Sequence, residues 1–325
     1  MYTGFSETNP LFSVDLAAEA SDLLRGTRRA ELPGITESIH DIGQITIREI
    51  QIQTEEGSQL LQRPQGTYIT LESPPLQIND PAVQKNAVQA LAEALPRLIE
   101  EKITLKENDC ILCVGLGNRE AAADALGPYF ASRCPVTRHY SQYAPGALAP
   151  HMRPCCVLAP GVLGTTGVET LDIIKGVVKQ IHPALVIAVD SLSAQNIERI
   201  GCTIQLSNNG IRPGGGLGSR RQTLDETSLG VPVIAAGCPT IVSANVIAKQ
   251  ILETYGRKSN VPIDPQTEET VIKNCFSFYE THLSVTPKDI ESIISHAADI
   301  IARGISQALF PRVSPEQMSL YTAHR

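Results

Sequence analysis

The sequence predicts an α/β fold: a mainly parallel sheet with helices on both faces, plus a small β-containing part on the amino-terminal side. Three observations carry this reading. Four short runs, 110–114 (CILCV), 156–159 (CVLA), 184–189 (ALVIAV) and 231–236 (VPVIAA), are apolar throughout and do not alternate. A strand buried on both faces has that pattern, and such strands belong to parallel sheets covered by helices. Helical periodicity separates and follows these runs. Upstream of residue 80 the grammar is different, because 44–53 (QITIREIQIQ) alternates apolar and polar residues as a half-buried strand does.

The elements follow in order. The first 14 residues are polar and turn-rich, with Asn9-Pro10 as a break. A short helix opens near Asp15, and residues 27–43 read as loop. Strand 44–53 is followed by a second at 67–71, after the Pro64-Gln-Gly66 turn. Asp80-Pro81 is a helix start, with Asp as the cap and Pro at the first helical position. That helix is expected to reach about Glu101, with Pro96 as a kink or break. A helix at 166–181 presents Val168, Leu171, Ile174, Val178 and Ile181 on one face. Residues 256–266 read as an exposed connection. Thr286 and Pro287 signal the last helix, whose apolar stripe is Ile290, Ile293, Ile294, Ala297, Ile301 and Ile305. Residues 314–325 are expected to be loose or to contact another subunit.

Composition narrows the function. The 325 residues are 42% hydrophobic and 19% charged, which fits a globular chain with a full core rather than a disordered one. A net charge of −7 argues against a chain that binds nucleic acid directly, although a local basic patch at Arg220-Arg221 remains. Neither a secretory signal nor an 18-residue apolar run is present, so a cytoplasmic protein without a membrane span is expected. The eight cysteines then read as reduced thiols. Cys110 and Cys113 have CxxC spacing within a strand. Residues three apart on a strand face opposite ways and do not easily share a metal. Cys155 and Cys156 read as structural. Neither metal nor cofactor is expected.

In an open α/β sheet the ligand crevice lies beyond the carboxyl ends of the strands. Asp124 follows the first apolar strand and its Gly115-Leu-Gly117-Asn118 turn, and Asp190 ends the strand 184–189. Gly161 and Gly164 follow strand 156–159. Two carboxylates on neighbouring loops can share a proton or orient a water, a workable acid/base pair for hydrolysis. An aspartate at a strand end also commonly caps the next helix, so both readings stand. The run PGGGLGSRR (213–221), with Gly214, Gly216, Arg220 and Arg221, offers backbone N–H groups to an anion or a basic loop at the active edge, but lacks the ending of a P-loop. His139 is an auxiliary candidate, as a base or a metal ligand, or a plain core or interface residue. Ser191 and Ser193 lack the elbow of a serine nucleophile.

Eight motifs in one order make the reading specific: GLGN (115–118), DALGP (124–128), VTRH (136–139), LAPGVLGTTGVET (158–170), LVIAVDSL (185–192), ERIGCTIQLSNNGIRPGGGLGSRR (198–221), LGVPVIAAGCPTIV (229–242) and LSVTPKDIE (283–291). Together they resemble the germination protease family of spore-forming Firmicutes, from about residue 13 to 310, with a shortening around 256–275. The resemblance implies a fold similar to hydrogenase maturation peptidases. It implies an atypical aspartic endopeptidase that degrades small acid-soluble spore proteins in the forespore or spore core. It also implies a homotetramer, and a zymogen that loses a short propeptide by self-cleavage. Asp124 and Asp190 stand at the positions of the family's proposed catalytic pair. The segment SVDLAAEA (13–20) resembles the processing region, placing the cut near Val14, Asp15 or Leu16. The expected division is a propeptide at 1–14 and a peptidase domain at 15–325, with a β-containing side part at 15–80 and the α/β core at 81–325. The glycine turns and the basic loop are then candidates for holding substrate or an oxyanion.

Departures from the family pattern are Ala122-Ala123 for Thr-Pro, Asp190-Ser-Leu-Ser for Asp-Ala-Leu-Ala, Arg220 and Arg221 for lysines, and Ser243 for Asp. Two rival readings follow: an inactive relative that binds spore proteins without cutting, and a nucleotide- or phosphate-utilising enzyme built on the glycine loops.

Overall fold

The structure, a computed structural model, describes residues 15–27, 32–213, 222–278 and 283–322. Its described strands are β1 (Ile35–Ile42), β2 (Ile45–Ile52), β3 (Gly66–Glu72), β4 (Ile111–Gly115), β5 (Cys155–Leu158), β6 (Leu185–Ala194), β7 (Thr203–Ser207), β8 (Val233–Ser243) and β9 (Ser284–Val285). They form one sheet in the order β1-β2-β3-β7-β8-β6-β4-β5, with β9 pairing β8 off this path. The pairs β8–β6, β6–β4 and β4–β5 are parallel, whereas β1 to β3, β7 and the β7–β8 junction are antiparallel. The sheet is therefore mixed, with a parallel α/β core and an antiparallel amino-terminal extension continuous with it through β3–β7.

Helices cover both faces of the core. Helices Pro81–Glu100, Leu126–Ala131 and Ile290–Leu309 bury one face, against Ile111, Cys113, Ile187, Val189 and Ile234. Helix Thr170–Ile181 buries the other, against Leu112, Val114, Val186, Ala188 and Val233. The strict alternation of strand faces splits consecutive apolar residues between these two clusters, which is why the core strands are apolar at every position. Asp80 caps helix Pro81–Glu100 as expected, accepting the N–H groups of Ala82 at 2.8 Å and Val83 at 3.2 Å. The helix runs its full length with Pro96 inside it. Among the described residues no helix is long and apolar enough to cross a membrane.

Several elements differ from the sequence reading. Residues 27–43 contain β1, a mostly exposed edge strand whose sparse apolar residues gave no alternation to read. β6 does not stop at Asp190 but runs to Ala194, so Asp190 lies inside a strand. The helix at 166–181 is two pieces, Leu163–Thr166 and Thr170–Ile181, broken by the left-handed turn at Gly167, and Val168 is exposed. Helix Ala244–Ser259 and helix Pro265–Cys275 occupy most of what read as a connection. Thr286 does not cap the last helix: its hydroxyl donates to the Thr240 carbonyl at 2.8 Å, and the cap position is Asp289. The carboxyl-terminal segment packs on its own chain. Tyr321 Oη donates to the Ala147 carbonyl at 2.9 Å and accepts the Ala149 N–H at 2.8 Å.

Candidate active site at the carboxyl ends of the parallel strands

Parallel pairing sends β4, β5, β6 and β8 out of the sheet at the same edge, and the site is built there. β4 ends at Gly115, which pairs with Val189 of β6. The next amide, Leu116 N–H, still donates to the Val189 carbonyl at 2.8 Å. Beyond that point β4 leaves the sheet while β6 continues, so Asp190 is the first residue of β6 past the end of β4.

Glycines shape the turn that follows β4. A Cβ on Gly115 would collide with the Gly127 carbonyl, so helix Leu126–Ala131 begins backbone against backbone on the strand end. Gly117 has φ +107°, a conformation that side chains rarely adopt, and a Cβ there would strike the Asp124 carbonyl and lie 3.0 Å from its Oδ1. With no side chain in the way, the Asn118 N–H donates to the Asp124 carbonyl at 3.0 Å and to Asp124 Oδ2 at 2.8 Å. The glycine turn thus clamps the Asp124 carboxylate in place. The short turn Ala122–Asp124 packs against β6, β8 and helix Ile290–Leu309.

Asp190 is 4% exposed, and its Oδ1 accepts the Ser191 N–H at 2.9 Å. It pairs with Gly237 of β8, where a Cβ would crowd Leu192 and the Asp190 carbonyl. Neither aspartate caps a helix: Asp190 is inside β6, and the cap position of helix Leu126–Ala131 is Ala125 with no side-chain bond. The capping alternative is thereby removed for both. Beside Asp190, the Ser191 hydroxyl is buried without a hydrogen-bond partner among the described residues, a deficit that an incoming polar group or water would relieve.

Gly161 and Gly164 follow β5, one strand over from β4. Gly161 has φ +75°, and its carbonyl accepts the Thr170 hydroxyl at 3.1 Å. Gly164 is exposed with open space around it. His139 is exposed and its ring is tilted against Tyr140, with ring centroids 4.2 Å apart. Its helix, Arg138–Tyr143, follows Thr137, whose N–H donates to the Cys155 carbonyl at the amino end of β5. His139 is thus tethered near the opposite end of the strands from the aspartates. Gly214, Gly216, Arg220, Arg221 and Val14 lie outside the described residues. Among the described residues no three His, Cys, Asp or Glu side chains gather as a metal set.

Sequence reasoning did not find the strap that crosses the extended end of β6. Asp15 Oδ2 accepts the Ser193 N–H at 2.8 Å, and both Glu19 oxygens accept the Gln195 N–H at 2.9 Å. Gln205 of β7 accepts the Ala17 N–H at 2.6 Å and donates to the Asp15 carbonyl at 3.1 Å. Leu16, Ala17 and Ala18 are fully buried beneath these bonds. Burial raises the Glu19 pKa to about 7, against the lowering pull of the Gln195 N–H and of Arg199. The chain near Asp15 is therefore fixed three residues beyond Asp190. The only signal in the sequence was the acidic residue spacing in SVDLAAEA.

Two departures from the family pattern keep their local roles. Ser243 caps helix Ala244–Ser259, its Oγ accepting the Asn245 N–H at 3.3 Å, a task that Asp and Ser both perform. Ser193 meets Asp15 through its backbone, which any residue supplies.

Comparison with known proteins bears on this arrangement. The family model described as germination protease matches residues 14–262. A germination protease of Caldanaerobacter subterraneus subsp. tengcongensis is 39% identical over 320 residues, covering 94% of this chain and 96% of its own. That of Clostridium tetani is 35% identical, covering 94% and 98%, and that of Bacillus subtilis 34% identical, covering 96% of each. Among solved structures, the NiFe hydrogenase maturation protease HycI of Thermococcus kodakarensis is similar over 65% of this chain and 97% of its own, at TM-score 0.33 and 15% identity.

Proposed function

The chain belongs to the germination protease family, and from that premise we propose that it is an endopeptidase in which Asp124 and Asp190 activate water against a peptide bond. Its substrates on this reading are small acid-soluble spore proteins, and it is made as a zymogen that cuts itself near Val14–Leu16. It works as a homotetramer in the forespore or spore core.

What supports this most is the placement of both aspartates at the carboxyl edge of the parallel strands, with the turn that carries Asp124 packed against β6. One sits on a glycine-clamped turn at the end of β4. The other sits on β6 at the residue after the last β4 pairing. In the reaction, the ionised carboxylate takes a proton from water as the oxygen attacks the carbonyl carbon. The protonated carboxyl gives its proton to the amide nitrogen as the C–N bond breaks. The two groups end with their protonation states exchanged. The Asn118 and Leu116 N–H groups are already engaged, with Asp124 and Val189, so their part is to position rather than to bind an oxyanion. Any oxyanion donor is then sought in the Gly161–Gly164 turn or the 214–221 loop.

The zymogen part rests on the strap at Asp15–Glu19, which ties the first described residues to the end of β6 a few positions beyond Asp190.

The test is digestion of a purified small acid-soluble spore protein by the chain lacking residues 1–14. The wild type is expected to cut it at discrete sites. D124N and D190N are expected to fold normally by circular dichroism and to lose at least about 10³-fold in rate. Near-normal cleavage by either variant overturns the pair. Binding of the substrate without cleavage by folded wild type would favour the non-cutting relative. Mass spectrometry of the full-length chain reads self-processing, and a fully active chain that keeps residues 1–14 overturns the zymogen.

A further inference from the structure

Five of the eight cysteines cluster around β4 and β5, and strand alternation sorts them. Ile111 pairs with Cys155 and Leu112 with Cys156. Cys113 and Cys155 therefore share the face under helices Pro81–Glu100 and Leu126–Ala131, with Cys134 beside them. Cys110 and Cys156 share the other face. The CxxC pair is split, as the spacing requires, but each of its cysteines meets a partner across the strands. The Sγ atoms of Cys110 and Cys156 are 3.9 Å apart, and so are those of Cys113 and Cys155.

The two pairs have equal spacing and opposite surroundings. Cys113 and Cys155 are 1% and 0% exposed. Cys110 and Cys156 are part-exposed, because β5 is the last described strand of the sheet and no described strand covers its outer side. Arg138, on the helix after Thr137, carries its guanidinium to Cys110. The hydrogen bond from the Cys156 thiol, then Arg138, holds Cys110 below the usual thiol range, although burial opposes them. Cys156 is pushed up by that same bond and by burial. Cys113 and Cys155 are also raised, first by their thiol contacts and then by burial. The part-exposed pair therefore sets a thiol of raised acidity, Cys110, beside a second thiol that can resolve it, and the buried pair has neither access nor activation.

We propose that Cys110 and Cys156 form a thiol–disulfide exchange site that reacts with low-molecular-weight disulfides and closes into a cystine joining β4 to β5. The Cys110 thiolate attacks one sulfur of the small disulfide, forming a mixed disulfide and releasing one small thiolate. Cys156 then attacks Cys110 Sγ and displaces the second small thiolate, which takes up the Cys156 proton. Two protein thiols are oxidised, one small disulfide is reduced to two thiols, and no other oxidant is needed. Register sets Cys110 diagonally from Cys156, so closing the sulfurs from 3.9 Å to about 2.05 Å takes a shift of the chain entering β4 as well as side-chain rotation. The bond would close a loop between positions 46 residues apart and staple the edge strand to the sheet. It lies at the amino ends of the strands, away from Asp124 and Asp190.

The test uses the full chain carrying C275S, which removes the exposed Cys275 thiol, incubated folded with oxidised glutathione. It is then alkylated under denaturing conditions and mapped by mass spectrometry. The expected result is a peptide pair linked through Cys110 and Cys156, with Cys113 and Cys155 alkylated, and a urea midpoint that rises and returns on reduction. C156S is expected to stop at glutathione on Cys110, and C110S is expected to leave Cys156 unmodified. Full alkylation of both cysteines, oxidation of Cys113–Cys155 at the same rate, or a stable Cys110 adduct in the chain with Cys156 intact would each overturn the proposal. The first and last need no variant at Cys110 or Cys156, so a misfolded C110S or C156S does not shelter it.

Discussion

The two halves of the sheet are held together by opposite means. The parallel half, β8-β6-β4-β5, is apolar on both faces, and its polar groups gather at one edge. The antiparallel half, β1-β2-β3-β7, has charge inside it. In β2 Ile45 and Ile47 face helix Pro81–Glu100, while Ile50 and Ile52 face helix Ala17–Thr27. Arg48 shares the second face and is 8% exposed. It pairs with Glu37 of β1 and with Asp22 at 2.7 Å, while Arg25 reaches Glu37 at 2.6 Å. Burial disfavours the Arg48 charge, but the bonds to Asp22 and Glu37 outweigh it and raise its pKa. Parallel strands deliver all their carboxyl ends to one edge, where Asp124 and Asp190 stand. Antiparallel strands alternate direction and do not. One half builds the site, and the other holds the amino-terminal strap against it.

The sharpest break of this contrast is at Gly117. G117A places a Cβ on the Asp124 carbonyl at a backbone angle suited to glycine. We expect more than about 3 kcal/mol of destabilisation. The residual folded enzyme is expected to lose about 10²-fold or more in peptidase rate, because a displaced carboxylate is a poor catalyst. Rate and urea melts measured together would show this. A folded, fully active G117A would separate the turn from catalysis.

R48M probes the other half. It removes the closest partner of Glu37 while Arg25 still pairs with it, and a loss of about 1.5–3 kcal/mol is expected in denaturant melts. The rate per folded molecule is expected to stay unchanged. A lost rate without lost stability would mean that the antiparallel half takes part in the chemistry.

Glu19 joins the halves and gives a pH signature. Its folded pKa of about 7 lies above the ordinary 4.5, so the folded chain binds the proton more tightly than the unfolded chain. That favourable contribution is complete below about pH 4.5 and is lost as pH rises to about 7, amounting to about 3 kcal/mol. E19Q should remove this slope from the stability profile. An unchanged slope would place the titration elsewhere.

The smallest effect is D80A. The cap of helix Pro81–Glu100 contributes about 1 kcal/mol. Because that helix packs on β2, β3 and helix Ile290–Leu309, one cooperative transition should shift as a whole. Two separate transitions would mean that the halves unfold independently.

The legibility of each element follows its burial. β4, β6 and β8 were readable because strands covered on both faces must be apolar throughout. β7 was not. Its TIQLS sequence is polar at alternate positions, yet Gln205 is buried because the strap satisfies both ends of its amide. A polar residue satisfied by a segment 188 positions away looks like a loop residue in sequence. β1 failed for a related reason, as an edge strand has little apolar face to show. Asp124 was legible as a residue following a strand and its glycine turn was visible too, whereas Asp190 read as a strand end only because the apolar run stops there, while β6 continues through it. That the turn serves to clamp Asp124 was not legible, since the clamp depends on a bond from Asn118 that has no residue-type signature.

By itself the sequence determined the α/β class, the core strands, the two longest helices, the candidate pair Asp124 and Asp190, and the family resemblance. Each is encoded locally, in periodicity, caps or contiguous motifs. The tertiary structure alone decided that the amino-terminal strands continue the same sheet, that Asp15 and Glu19 strap the end of β6, and which cysteines face one another. Those outcomes depend on strand order and register. Register is fixed by how distant segments share one core, and a one-residue slip would exchange every face.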